Sequence, residues 1–191
     1  MKTRTSEMSP QVYARLAALL YLGTLTTGII AQMGISGKII VDGDATATAA
    51  NILAHKDLFR LGFTIYLIEM ACQIAQTFLF YILLNPVSRN IALLALVFSL
   101  IGCTIKTLSR LFYIAPLLVL GGSPYLSMFS TGQLEAFALL LLNLNDQAAE
   151  IALAFFGFST FMNGYLIFSS NFLPRILGAF SMMGGLGWLT F

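Results

Sequence analysis

Residues 91–120 read IALLALVFSLIGCTIKTLSRLFYIAPLLVL, and only two of these side chains, Lys106 and Arg110, are charged. At a rise of about 1.5 Å per residue, a helix of this length extends about 45 Å, whereas the hydrocarbon core of a bilayer is about 30 Å thick. The stretch therefore predicts a membrane-spanning helix that is tilted or protrudes, ended by Gly121, Gly122 and Pro124.

The composition of the whole chain agrees with this interpretation. Of 191 residues, 58% are hydrophobic and 9% are charged, whereas soluble domains carry about 25% charged residues. The net charge of +2 is dispersed, so a basic surface for nucleic acid is excluded. Cys72 and Cys103 are the only cysteines and lie in apolar runs, which excludes a secreted disulfide framework.

The other apolar runs predict further spans. Ser9 and Pro10 favour a helix start, and the apolar run after Arg15 lacks an A-x-A cleavage pattern, so we interpret it as an uncleaved first span. Residues 131–168 are interpreted as one helix whose first part protrudes, with a kink near 143–146 as the alternative. The predicted spans cover residues 11–34, 58–84, 91–120, 131–168 and 174–191.

The predicted fold is an all-α, polytopic helical membrane bundle. It forms a single transmembrane domain over residues 1–191, with about five spans and a short extramembrane helix in the loop after the first span. Lysines and arginines in short loops orient such proteins. The residues that indicate a cytoplasmic N-terminus are Lys2, Arg4, Arg15, Arg89 and Arg175.

Five charged side chains lie inside the predicted spans, where an unpaired charge at the bilayer centre costs about 3 kcal/mol or more. They are Glu69, Lys106, Arg110, Asp146 and Glu150. Because of this cost we expect all five to face inward, and the i,i+4 spacings of Lys106 to Arg110 and of Asp146 to Glu150 would let the two pairs meet level by level. The predicted pairs are Lys106 with Glu69 or Glu150, and Arg110 with Asp146, and Arg60 is expected to cancel the remaining negative charge.

Two interpretations of these charges stay open. They form either a polar site for a ligand or proton, or a buried network that only fixes helix register. The loop after the first span supplies a second set of candidates, Asp44, Asn51, His55 and Arg60. His55 is the only histidine, so we predict no haem, no metal site and no cofactor. No nucleophile lies in a known catalytic motif, so no catalytic residue is predicted and enzymatic activity is left open.

Four strings of this sequence together carry a resemblance: ARLAALLYLGTL, GDATATAANILAHKDLFRLG, LNPVSRNIALLAL and AFFGFSTFMNGYLIFSSNFLPRILG. They resemble a bacterial multi-span family described only as a domain of unknown function. The matching positions are Gly43, Asp44, Thr48, Asn51, Ile52, Leu58 to Arg60, Asn85 to Val87, Phe155 to Gly157, Gly164 to Ile167 and Phe172 to Gly178. The resemblance implies a fold and a bacterial cytoplasmic membrane, and it implies no activity. Members of that family continue with a further apolar segment, whereas this sequence stops at Phe191.

Three hypotheses for function follow. The first is an accessory or assembly subunit that packs against other membrane proteins in the lipid bilayer. The alternative is a binding or transport protein that holds a small molecule, a lipid headgroup or a proton in the intramembrane charged cluster. An intramembrane hydrolase or transferase is the second alternative.

Overall fold

The computed structural model describes residues 9–190 of the chain. Lys2 and Arg4, which contribute to the predicted orientation, lie outside the described residues. The regular structure of the described part is helical, which confirms the all-α prediction and the short helix after the first span. Its elements are α1 (Pro10–Ile39), α2 (Ala45–Ala54), α3 (Lys56–Leu84), α4 (Arg89–Val119), α5 (Thr131–Ser169) and α6 (Arg175–Gly187).

Four of these helices, α1, α3, α4 and α5, are long and apolar enough to cross a membrane. The last helix differs, because α6 has only 13 residues. At about 1.5 Å per residue it is about 20 Å long, shorter than a hydrocarbon core of about 30 Å. The described residues therefore contain four candidate spans, the short apolar helix α2 and the 13-residue helix α6.

The first helix changes its hydrogen-bonding register partway along. It begins at Pro10, where Ser9 accepts backbone bonds from Val12 and Tyr13, as the Ser-Pro pair predicts. From Ile30 to Ser36 it is a π-helix, after which α-helical turns continue to Ile39, beyond the predicted end at residue 34. Such π segments widen a helix locally and reorient its side chains.

A tight turn leads into α2. Gly43 adopts a φ of +75°, a left-handed conformation that glycine accepts without strain. The Asp44 carboxylate then accepts a hydrogen bond of 2.9 Å from the backbone N–H of Ala47 and caps the helix. Gly43 and Asp44 therefore act in this chain as the start signal of α2.

Two further side chains of α2 fix the segment that precedes it. The Thr48 hydroxyl bonds both the N–H and the carbonyl of Val41, at 2.9 and 3.1 Å. Asn51 donates to the Ile39 carbonyl at 3.0 Å. Since this carbonyl ends α1, Asn51 ties the two helices together, and the fully buried Ile52 adds apolar contact beside it.

The longest helix is α5, with 39 residues and a length of about 58 Å. A capping box starts it: Gln133 Oε1 accepts from the Ser130 N–H at 2.9 Å, and Ser130 Oγ accepts from the Gln133 N–H at 3.4 Å. The helix then runs without interruption to Ser169, so it is longer than one crossing requires.

The chain divides into two compact units, and each long helix contributes residues to both. Within the described residues, the first unit comprises residues 9–23, 72–102 and 153–190. The second comprises Thr24–Ala71 and Cys103–Ala152. Each is described separately below.

Glycines on α5 and α6 hold part of the first unit together. A Cβ on Gly164 would lie 2.8 Å from the Gly178 carbonyl oxygen, and a Cβ on Gly178 would lie 2.6 Å from that of Gly164. Gly157 and Gly185 repeat this reciprocal contact at 3.0 and 2.8 Å. The two helix backbones touch at both points, which only glycine permits.

Elsewhere in the first unit the packing is apolar with a few neutral hydrogen bonds. The Thr77 and Ser99 hydroxyls bond each other at 2.7 Å, and the Ser159 hydroxyl donates to the Ala95 carbonyl at 2.8 Å. Leu84, Ala92, Leu166 and Ile167 form its buried apolar cluster.

The second unit has an aromatic core. Phe59 stacks on Tyr113 with ring centroids 4.4 Å apart, and Tyr66 meets Tyr113 edge-on at 5.2 Å. All three rings are at most 2% exposed. Next to these rings lie the charged side chains that the sequence places inside the spans.

Candidate functional site

One ion pair joins α3 to α4 in the second unit. Lys106 Nζ lies 2.7 Å from Glu69 Oε1, and the side chains are 18% and 7% exposed. This confirms Glu69 as the partner of Lys106. A Cβ on Gly28 would lie 3.2 Å from Glu69 Oε1, so α1 packs closely against this oxygen of the carboxylate.

Arg110 lies one helical turn further along α4 and is buried. Its guanidinium carbon is 3.7 Å from the centre of the Tyr66 ring, a cation–π contact. Its Nη1 donates to Asn145 Oδ1 at 3.1 Å. A desolvated cation–π contact contributes about 2 kcal/mol, so these contacts hold α3, α4 and α5 in one arrangement.

The predicted direct pair of Arg110 with Asp146 is wrong, because Asn145 stands between the two. Asn145 Nδ2 donates to Asp146 Oδ1 at 2.8 Å while its own Oδ1 accepts from Arg110. Successive residues of a helix are about 100° apart around its axis. Since Asn145 is the buried one, Asp146 is turned outward and is exposed.

Glu150 is exposed too, so the expectation that all five charges face inward is also wrong. Its Oε2 accepts from Gln147 Nε2 at 3.2 Å. With the exposed Asn143, these residues occupy positions i, i+3, i+4 and i+7 on one side of α5. We call Asn143, Asp146, Gln147 and Glu150 the α5 stripe. Among the described residues, neither of its carboxylates has a lysine or arginine within ion-pair distance.

A hydroxyl network borders the cluster on the side of α1. Tyr66 donates to Gln32 Oε1 at 2.6 Å, and Ser36 Oγ lies 3.1 Å from the hydroxyls of both Tyr66 and Tyr113. Gln32 and Ser36 belong to the π-helical turns. Sequence reasoning missed both, although two polar residues at i,i+4 in an apolar run are a usable signal.

Two buried polar atoms of the cluster have no hydrogen-bond partner among the described residues. They are Glu69 Oε2 and Arg110 Nε, on side chains that are 5% and 4% exposed as whole residues. An unsatisfied buried group costs about 1–3 kcal/mol, and more when it is charged. The cluster is therefore incomplete as it stands.

The candidate residues of the loop after α1 do not join this cluster. Asp44 and Asn51 have the structural contacts given above, and His55 is exposed with Nδ1 3.2 Å from the Asn51 carbonyl. Arg60 is exposed and lies 3.7 Å from Asp57, so it cancels no buried charge. A surface hollow of about 490 Å³ is lined by residues 53–58 and 60. Within residues 9–190, no group of three histidine, cysteine or acidic side chains is arranged to hold a metal.

Four long apolar helices and an ion pair buried among them define this chain as a multi-pass helical membrane protein. A family model described as a domain of unknown function (DUF4386) matches residues 16–190. The chain therefore belongs to that family, as the resemblance in its sequence implies. Neither the curated proteins nor the solved structures give a match.

Proposed function

We propose that this protein is an accessory or assembly subunit that binds another membrane protein through the outward side of α5. The observation that carries the proposal is the α5 stripe. It places two carboxylates and two amides on the exposed side of a helix that is long and apolar enough to cross a membrane.

The surroundings of the stripe are apolar along the same helix. Phe137 and Leu140, which precede the stripe in sequence, are exposed, and so are Ile151 and Phe158, which follow it. Counted from the end of α5, Glu150 lies about 28 Å along the helix, close to the far edge of a hydrocarbon core of about 30 Å. A carboxylate that faces lipid there costs less than the value of about 3 kcal/mol at the bilayer centre, and the amides add to this cost. A partner helix with polar groups would remove it, since hydrogen bonds between helices are a main source of affinity in membranes.

In this proposal the buried charges serve to support the docking surface. Arg110 holds Asn145 inward, and the Asn145 amide bonds Asp146 at the edge of the stripe. The angle at which α5 presents its carboxylates is therefore set by α4. This supports a structural role for Lys106 and Arg110 in shaping the surface.

The membrane placement of the chain is part of the proposal. We propose a cytoplasmic N-terminus, because Arg15, Arg89 and Arg175 fall on one side when successive spans alternate. In this placement α6 lies in the membrane beside α5 as a fifth, shorter segment, and the chain acts as a single transmembrane domain. A periplasmic reporter fused after residue 122 tests the orientation and is expected to be active.

Photo-crosslinking in native membranes tests the proposed surface. A benzophenone amino acid at Gln147 of the α5 stripe is expected to give adducts with another membrane protein. The same probe at Leu108, an exposed apolar residue of α4, is the matched control and is expected to give mainly lipid adducts. Lipid adducts alone at both positions would contradict the proposal.

A charge substitution provides the second test. Glu150→Ala is expected to reduce the protein–protein adduct formed from position 147 at least fivefold, because an interhelical bond to a charged group contributes about 1 kcal/mol or more. Asp57→Ala removes one fully exposed carboxylate at the start of α3, outside the stripe, and is expected to leave the adduct unchanged. Equal effects of the two substitutions would argue against docking at this surface.

A further inference from the structure

The unpartnered atoms of the buried cluster carry an inference that is independent of the α5 stripe. Glu69 Oε2 needs a hydrogen-bond donor, and Arg110 Nε needs an acceptor. Both atoms belong to side chains more than nine-tenths buried, where water cannot satisfy them freely. A group that satisfied both atoms would have to donate at one point and accept at another.

The two atoms belong to neighbouring helices of the second unit, α3 and α4. Glu69 and Tyr66 lie one turn apart on α3, while Lys106 and Arg110 lie one turn apart on α4. Lys106 bonds Glu69 and Arg110 covers Tyr66, so the two contacts are stacked as successive levels of the same helix pair.

The charge balance limits what this region of the helix pair accepts. Glu69 and Lys106 neutralise each other, and Arg110 is linked through the neutral Asn145 to the exposed Asp146 carboxylate. A ligand with net charge would upset this balance in a medium of low dielectric constant, where uncompensated charge is expensive. A ligand that carries one positive and one negative group would not.

We propose that this region binds a zwitterion, a primary ammonium joined to an anionic oxygen group. The ammonium donates to Glu69 Oε2, and the oxyanion accepts from Arg110 Nε and from the Lys106 ammonium, which has donors beyond the one given to Glu69. The side chain of Lys106 is 18% exposed, so it marks the entry to the region.

Two sources supply this chemistry, the headgroup of phosphatidylethanolamine and a free amino acid or phosphoethanolamine. The position of Lys106 favours the lipid. Along α4 it lies about 25 Å from Arg89, close to the far edge of a hydrocarbon core of about 30 Å. A headgroup of that leaflet reaches this level, and the exposed apolar side chains of α4, such as Leu108 and Leu111, offer contact for acyl chains.

A lipid panel on the full-length protein tests the ligand class. The purified protein is exposed to equal amounts of phosphatidylethanolamine, phosphatidylcholine and phosphatidylglycerol with identical acyl chains, and retained lipid is counted by native mass spectrometry. Phosphatidylcholine has no N–H to donate, and phosphatidylglycerol has no cation. About tenfold preferential retention of phosphatidylethanolamine is expected, since a lost charged hydrogen bond is worth about one decade in affinity. Equal retention of all three lipids, or preference for phosphatidylglycerol, would overturn the proposal.

A soluble arm separates the two sources. In phosphatidylcholine nanodiscs, glycine and phosphoethanolamine are added and the thermal unfolding midpoint is followed. A rise in the midpoint identifies a free zwitterion as the ligand, whereas stabilisation by phosphatidylethanolamine alone identifies the lipid. Both results support zwitterion binding. If neither source stabilises the protein, the proposal is contradicted.

A glycine substitution locates the site. A Cβ on Gly28 would lie 3.9 Å from Glu69 Oε2 and 3.2 Å from Oε1, so Gly28→Ala narrows the space beside the unpartnered oxygen. Phosphatidylethanolamine retention is expected to fall at least fivefold. Gly132→Ala is the matched control, because a Cβ there meets nothing within 4 Å. If Gly28→Ala does not fold, the lipid panel on the unsubstituted chain decides the proposal alone. Unchanged retention in a folded Gly28→Ala protein would overturn the assignment to Glu69.

Discussion

The two units of this protein hold their helices together by different means. In the first unit, α5 and α6 approach until their backbones touch at Gly157, Gly164, Gly178 and Gly185. In the second, side chains with charges and hydroxyls bridge the helices, as Glu69 and Lys106 do. Lipid gives membrane helices no hydrophobic reason to associate, so close packing and polar bonds are the alternatives available. In this chain the first unit combines close backbone contact with a few neutral hydrogen bonds, whereas the second has bonds between charged side chains.

The difference has consequences for what each unit tolerates. Where two helix backbones touch, a substitution that adds volume destabilises the protein, whereas a change of charge has little effect. In a polar network, the removal of any one partner destabilises the protein. Each unit leaves two buried polar atoms without partners among the described residues: Glu69 Oε2 and Arg110 Nε in the second, and Gln76 Oε1 and Asn85 Oδ1 in the first. The four predictions below test this contrast, from the largest expected effect to the smallest.

Breaking the ion pair is expected to have the largest effect. Lys106→Leu leaves the Glu69 carboxylate buried without a counter-charge, and such losses destabilise proteins by about 3–5 kcal/mol. The free energy of unfolding in mixed micelles, followed by steric trapping, measures it. Glu69→Leu combined with Lys106→Leu is expected to recover most of the loss, because an apolar pair replaces the ion pair. If the double variant is as unstable as the single one, an apolar pair cannot replace the ion pair in stabilising the protein.

Adding volume to the glycine contact comes second. A Cβ on Gly178 would meet the Phe168 backbone nitrogen and the Gly164 carbonyl. Gly178→Ala is therefore expected to destabilise the protein by about 1–3 kcal/mol, the range for overpacking. In Gly184→Ala, on the same helix, the new Cβ meets nothing within 4 Å, and the unfolding midpoint is expected to stay within error. Similar losses in both variants would point to helix propensity or mobility rather than contact.

A third prediction concerns a polar contact outside the long helices. Asp44→Ala removes the cap of α2 and is expected to cost about 1 kcal/mol. Hydrogen exchange at the Ala47 amide, which loses its acceptor, is expected to accelerate about fivefold at that cost. Asp42→Ala, an exposed carboxylate of the same loop, serves as the control and should leave exchange at Ala47 unchanged.

The smallest effect is expected for a neutral polar pair in the first unit. Thr77 and Ser99 share a buried hydrogen bond of 2.7 Å. A double-mutant cycle with Thr77→Val and Ser99→Ala is expected to give a coupling of about 0.6 kcal/mol, the average for hydrogen bonds between membrane helices. A coupling as large as the effect of Lys106→Leu would remove the contrast between the units.

Much of the helical layout is predictable from the sequence because its signals are local. Ser9 and Pro10 mark the start of α1, Asn85 and Pro86 follow α3, and α5 is continuous across its polar middle. The partner of Lys106 was also within reach, since few intramembrane acids are available. The end of α1 was not, because a π-helical turn has no sequence signal that reasoning by period detects.

The rotation of α5 is where the prediction of the site failed. The i,i+4 pair of acids suggested that Asp146 and Glu150 face inward, yet four of the buried residues of this helix lie seven positions apart on another side. They are Ala138, Asn145, Ala152 and Ser159. Small residues at that spacing are a signal of helix contact, and they identify Asn145 as the inward residue. The positions of the charged residues alone therefore predicted the wrong rotation of α5 about its axis.

The pair of Glu69 and Lys106 also bears on how the chain enters the membrane. Ribosomes deliver α3 before α4, so the Glu69 carboxylate emerges first and waits for its counter-charge. Either helix alone would carry a charge into the bilayer at a cost of about 3 kcal/mol. Together they carry an ion pair bonded at 2.7 Å. The natural unit of insertion is therefore the hairpin of α3 and α4, joined by its short Asn-Pro turn, rather than either helix by itself.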